Sequence, residues 1–162
     1  MNSTTATNDI RRDLVTLLPR LRRFALTLTG DARTADALVE EVCARAIQKH
    51  HMWKGDGRLE SWIFSLIHSG WSEEPRRRGR QETQQKDSSG TAATTKGAAS
   101  SKALLCLPAG LATALLLVDV EGFDYPEAAS ILGIAPEMLS SRLCAARLSL
   151  ATLPPDIAEK RA

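Results

Sequence analysis

Aromatic side chains are scarce in this sequence of 162 residues: Phe, Trp and Tyr together make up 4%. An aromatic-rich β-sandwich or a carbohydrate groove is built on large rings, and this composition does not supply them. Cysteine is equally sparse. Cys43, Cys106 and Cys144 are odd in number, far apart and never in a CxxC pair. That pattern excludes a disulfide framework and a zinc knuckle, and it reads as thiols in a reducing cytoplasm. The longest strongly apolar run, Ala114 to Val118, is far too short to cross a bilayer. The opening MNSTTATND has no apolar stretch of its own, so it does not read as a signal peptide. The expectation is a cytoplasmic protein with no membrane contact.

Chemistry-bearing constellations are missing as well. His50, His51 and His68 have no Cys, Asp or Glu at a ligand spacing, so no metal and no other cofactor is expected. There is no nucleophile motif, phosphate-binding loop or catalytic carboxylate pair, and the expectation is a protein that is not an enzyme.

The composition does carry a core. Hydrophobic residues reach 43% and charged residues 25%, which suits a folded chain. One segment breaks the pattern. Residues 79–102, GRQETQQKDSSGTAATTKGAASSK, contain no Leu, Ile, Val, Met or aromatic. Such a stretch buries too little to offset its ordering entropy and reads as a flexible linker, with an r.m.s. span of roughly 25–30 Å. It divides the chain into residues 10–78 and 103–153. Residues 1–80 carry 14 Lys+Arg against 10 Asp+Glu, a net of +4. Residues 103–153 carry Arg142 and Arg147 against five acids, a net of −3. The front half has the better electrostatic case for facing nucleic acid.

Apolar periodicity is helical throughout, with no strand-like alternation, so the fold class is all-α. In the front half, Leu14, Leu17, Leu18, Leu21, Phe24, Ala25 and Leu28 form a first stripe. Pro19 inside it predicts a kink or a fresh start. Gly30-Asp31 offers a stop and a new N-cap. A second stripe runs Ala35, Leu38, Val39, Val42, Cys43, Ala46 and Ile47. His50–Gly57 reads as a loop. A third stripe comprises Leu59, Trp62, Ile63, Leu66, Ile67 and Trp71, with Pro75 predicted to end or bend that helix. In the rear half, Pro108 opens a helix carrying Leu111, Leu115 and Val118. Asp124-Tyr-Pro-Glu127 is a helix start, Gly133 a left-handed stop, and Pro136 opens a last helix with Leu139, Leu143 and Leu150 on one face. A short helix, a Gly-containing turn and a second helix make a helix-turn-helix.

These segments resemble a known family. LLPRLRRFALTLTGDARTADALVEEVCARAI, the tryptophan loop and RLESWIFSLI together resemble region 2 of the extracytoplasmic-function (ECF) sigma factors, and LPAGLATALLLVDVEGFDYPEAASILGIAPEMLSSRLCAARLSL resembles region 4. The wording is most similar to the general-stress-response subgroup. The resemblance implies a region 2 helical bundle and a region 4 helix-turn-helix, and an alternative sigma factor that directs promoter recognition and strand opening. It implies core RNA polymerase as partner, through the β′ clamp helices and the β flap, with promoter DNA and an anti-sigma protein as the others.

By that resemblance, Asp36, Val39, Glu40 and Glu41 are the polymerase-docking residues. Trp53, Lys54 and Arg58 lie in the base-capture loop, where stacking rings and cations suit unstacked DNA. Arg76, Arg77, Arg78 and Arg80 form a basic run suited to phosphates of the −10 region. Ser140, Ser141, Arg142 and Arg147 lie on the −35 recognition helix. That helix departs from the family's usual wording. Ser140 stands where Lys is typical, Ala145 where Arg is, Met138 where Thr is, and Glu137 adds an acid at the helix start. Leu111-Ala112 replaces a polar Gln-Arg pair in the preceding helix. These departures predict a region 4 that keeps its fold and loses much of its grip on DNA. They also motivate a second expectation, a degenerate sigma-like protein that binds an anti-sigma protein or polymerase without directing transcription.

Overall fold

In a computed structural model, residues 3–50, 53, 58–81, 104 and 107–152 are described, without the side chains at 3–8 and 74–81. All regular structure among the described residues is helical. The first stripe becomes α1 (Ser3–Thr29). It runs unbroken through Pro19, where the sequence predicts a kink or a new start. Proline removes the bond to the carbonyl four residues back. That carbonyl belongs to Val15, a residue 66% exposed.

Gly30 ends α1 with φ +70° and sends its N–H to the Leu26 carbonyl at 2.9 Å. Asp31 then caps α2 (Ala32–Gln48), accepting from the Thr34 backbone N–H at 2.9 Å and the Thr34 hydroxyl at 2.8 Å. Those bonds hold its carboxyl below the usual carboxylate range. α3 spans Leu59–Gln81. It too continues through its proline, Pro75, rather than ending there, and so reaches into the first residues assigned to the linker.

In the rear half, Pro108 caps α4 (Ala109–Leu115), which passes into a π-helical turn at Leu116–Val120. The Glu121 N–H reaches back to the Leu116 carbonyl at 2.9 Å, the wider spacing that defines such a turn. Gly122 reverses the chain with φ +73°. Asp124 caps α5 (Tyr125–Leu132) through the Glu127 N–H at 2.8 Å. Gly133, left-handed at φ +61°, closes α5 by donating to Ala129 and Ser130. α6 (Pro136–Thr152) follows and buries Leu139, Leu143 and Ala146. These start and stop signals stand where the sequence places them.

The two halves share one core. Leu21, Phe24, Ile63 and Ile67 from the front and Leu116, Leu117, Leu139 and Leu143 from the rear belong to a single buried cluster. Phe64 joins the halves. Its ring centroid lies 5.1 Å from that of Phe24 and 5.3 Å, edge-on, from that of Phe123. Phe64 is fully buried, whereas Leu59, Trp62, Leu66 and Trp71 are only partly so. The apolar face of α3 is therefore shared between its own bundle and the rear half.

His68 of α3 lies half-buried, and burial, helped by the charge of Arg142 on α6, lowers its pKa from the ordinary 6.5. Its proton is bound less readily in the fold than in the unfolded chain. The stability associated with it is full above about pH 6.5 and is lost as pH falls through the lower folded value. Asp31 and Asp36 are held below the usual carboxylate range and stay ionised in that window. Lowering the pH from about 7.5 to about 5.5 should reduce the melting temperature more in the natural chain than in His68→Asn; equal pH slopes would contradict this. Asp124→Ala should cost about 1 kcal/mol by loss of the cap, read from urea unfolding. Phe64→Ala should cost about 3–5 kcal/mol, far more than the same change at half-buried Trp71.

Candidate nucleic-acid interface

The helix-turn-helix positions its second helix by two local devices. The left-handed Gly133 turns the chain sharply, and burial of Leu139, Leu143 and Ala146 fixes which side of α6 faces the core. Ser140 and Ser141 consequently lie exposed on the outer side. The Ser140 hydroxyl donates to the Pro136 carbonyl at 3.1 Å. Arg142 is half-buried: its Nη2 lies 3.9 Å from the Met138 sulfur. Its guanidinium crosses the start of α4 so closely that a Cβ at Gly110 would come within 3.5 Å of Nη1. Arg147 is held by both oxygens of Asp119, Nη2 at 2.7 Å and Nε at 3.1 Å. Those bonds, with a further one to Tyr125, raise its pKa. Arg142 and Arg147 thus both have partners within the protein.

On α2, Asp36 pairs with Arg22 through both carboxylate oxygens, at 2.5 and 3.2 Å, which keeps its carboxyl well below the ordinary range. Glu41 pairs with Arg45 at 2.6 Å, and Glu40 is exposed. Val39 is corrected. At 6% exposure it belongs to the core with Ala35 and Val42, because its turn of the helix faces inward. The acidic outer face, without Val39, is what α2 offers a partner.

The loop residue Trp53 is half-buried, its backbone N–H 3.2 Å from the His50 carbonyl. Its indole N–H is buried with no partner among the described residues. Lys54 lies outside the described residues. Arg76, Arg77, Arg78 and Arg80 stand on the backbone of α3, with side chains outside the described set. Arg58 is placed where α3 meets the rear half. It pairs with Glu60 at 3.4 Å and Glu127 at 3.5 Å, and its guanidinium carbon lies 5.5 Å from the centre of the Phe123 ring.

Sequence reasoning missed the polar groups around Arg58. Glu121 has a side chain only 2% exposed and accepts bonds from Arg20 Nε and, at 3.4 Å, Arg23 Nη1. Arg20 also reaches Glu60 at 2.9 Å. Burial alone would lower the Arg20 pKa, but the bonds and charges of Glu121 and Glu60 outweigh it and the net shift is upward. Glu127 accepts from the Ser61 hydroxyl as well as from Arg58. Beside this pair a cleft of about 320 Å³ opens between α3 and α5, with Trp62, Ser65 and Ser130 on its walls. The available signal was the run Arg20, Arg22, Arg23 flanking an apolar stripe, opposite an acidic rear half. Among the described residues, no group of three or more His, Cys, Asp or Glu is placed to hold a metal ion, and no helix is long and apolar enough to cross a membrane.

Comparison with known proteins gives this geometry a context. Residues 14–68 match the model of the Sigma2 domain of PhyR, and residues 101–150 match Sigma-70, region 4. The chain is 33% identical over 156 residues to the ECF RNA polymerase sigma factor EcfG of Rhodopseudomonas palustris, covering 91% of this chain and 86% of that one. It is 24% identical over 139 residues to the ECF sigma factor SigM of Mycobacterium tuberculosis, covering 83% and 71%. Among solved structures, it superposes with a TM-score of 0.72 and 26% identity on the sigma factor RpoE of Bartonella quintana, in complex with the anti-sigma factor NepR. That match covers 95% of this chain and 99% of the other. A TM-score of 0.55 at 21% identity relates it in fold to the anti-anti-sigma factor PhyR of Bartonella quintana, covering 84% of this chain and 46% of PhyR. From the helix-turn-helix geometry, the matches to both sigma regions and a relative similar along nearly the whole chain, it follows that this protein belongs to the ECF family of RNA polymerase sigma factors.

Proposed function

We propose that the chain binds core RNA polymerase and carries it to promoters of the general stress type, using residues 10–78 for docking and the −10 element and residues 103–153 for the −35 element. The observation that carries this reading is the helix-turn-helix itself: α5 capped by Asp124, turned at Gly133, and followed by α6 with Ser140 and Ser141 facing outward. The acidic face of α2, with Asp36, Glu40 and Glu41, meets the basic clamp helices of β′, and region 4 touches the β flap. Trp53, Lys54 and Arg58 take the unstacked −10 bases. Arg76, Arg77, Arg78 and Arg80 neutralise phosphates. The chain performs no bond-making of its own, works in the cytoplasm with the polymerase, and is controlled by an anti-sigma protein.

The −35 contact is the weak one. Arg142 and Arg147 must exchange internal partners for phosphates. Ser140 and Ala145 supply no charge, and Glu137 repels. Promoter choice therefore rests more on the −10 element than is usual for a two-element reader.

A second reading has its own support, since the front half matches a model built on PhyR, and a PhyR is known as an anti-anti-sigma factor. In that reading the chain is a degenerate sigma-like protein that binds an anti-sigma protein or polymerase without directing transcription.

The test is strand opening by core polymerase plus this protein on a pool of promoter fragments. Opening of a defined subset is expected, and core binding without opening on any fragment would favour the second reading. Glu40→Lys should weaken core binding by about five- to tenfold. Arg142→Ala should weaken promoter binding nearly uniformly across sequences and flatten its salt dependence by about one unit; a change in sequence preference instead would make Arg142 a base reader.

A further inference from the structure

The seam between the two halves contains a carboxylate whose burial makes sense only when they are closed. Glu121 stands just after the π turn of the rear half, with a side chain 2% exposed. Both cations that meet it, Arg20 and Arg23, stand on α1 of the front half. A buried carboxylate without a cation is strongly disfavoured. If the halves part, Glu121 returns to water on a module that already carries a net −3. Around it, Arg20 also bonds Glu60 within the front half. Across the seam, Ser61 and Arg58 bond Glu127, and the Phe64 and Phe123 rings meet edge to face.

The same closure occupies a cation assigned to DNA. Arg58 of the base-capture loop lies over Phe123 and against Glu127, both from the rear half. It cannot meet a phosphate without giving up these neighbours.

We propose that Glu121 is the latch of a self-closed, inactive state: by binding Arg20 and Arg23 it holds regions 2 and 4 together without any second protein, and docking on core polymerase must break it. This rests on the sigma-factor reading above for its consequence, but closure itself is a property of the free chain. In the opened chain Arg58 is released from Glu127 and Phe123, so the ionic contact at Glu121 governs when this cation is free for DNA.

Three chains test it: the natural one, Glu121→Gln, and the pair Arg20→Gln with Arg23→Gln, which removes the same contact from the opposite side. Circular dichroism checks that all three remain helical. Small-angle scattering of the free proteins should show a radius of gyration larger by about several ångströms in both variants. Each variant should bind core polymerase several-fold more tightly, because less of the chain waits in the closed form. A fourth chain keeps the test decisive if the variants misfold. In it Ser61→Cys and Glu127→Cys, in a background with the natural cysteines changed to Ser, are bridged by a short thiol cross-linker. The bridged chain should lose at least tenfold in core binding and fail to open promoters, and cutting a cleavable bridge should restore both. Unchanged radii in folded variants, or a bridged chain as active as the unbridged one, would overturn the latch. Failure of every chain, open or closed, to bind core would instead overturn the sigma reading, while the scattering result on closure would stand.

Discussion

A carboxylate removed from water must have its charge met by protein, and the cost of failing to do so is several kcal/mol. Glu121 lives under that constraint, and much of the architecture follows from it. Arg20 and Arg23 are one turn apart on α1, so α1 must face the rear half on that side. Phe64 and Phe123 then stack across the same seam, excluding water and strengthening the ion pair. Arg58, Glu60, Ser61 and Glu127 complete a polar ring around this apolar contact. The remaining helices are arranged to let that surface close.

The internal ion pairs differ in how tightly they are held. Arg147 and Asp119 are each substantially exposed, as are Arg22 and Asp36. Exposed pairs of this kind contribute at most about 1 kcal/mol and are screened by salt. They can be exchanged for other partners at small cost. The Glu121 contact is of another kind, because solvent does not reach its carboxylate. Binding of a large partner therefore meets one firm contact among several soft ones.

Much of this was legible in the residues. The stripes of α1, α2 and α6, the Asp31 and Asp124 caps and the Gly133 stop all follow from periodicity and turn chemistry that act within a few residues. What escaped was non-local. Pro19 reads as a break, yet α1 runs through it. Phe64 lies off the stripe that a lone bundle would bury, and becomes core only because a second half packs against α3. The seam residues Arg20, Arg23, Glu60, Glu121 and Glu127 read singly as solvated charges, since no local pattern says that a stretch some hundred residues away supplies their counter-charges.

The π turn at Leu116–Val120 sets which way the rear half's acids point. In a regular α-helix, successive residues step round the axis by about 100°, and a wider turn inserts an extra step. Asp119 and Glu121 are only two residues apart, and neighbours at that spacing point to opposite sides of a helix, one at Arg147 on α6 and one at α1. One short segment thereby braces α6 from within while clasping the other half of the molecule. The end of this single turn is where the packing of the rear half and its contact with the front half meet.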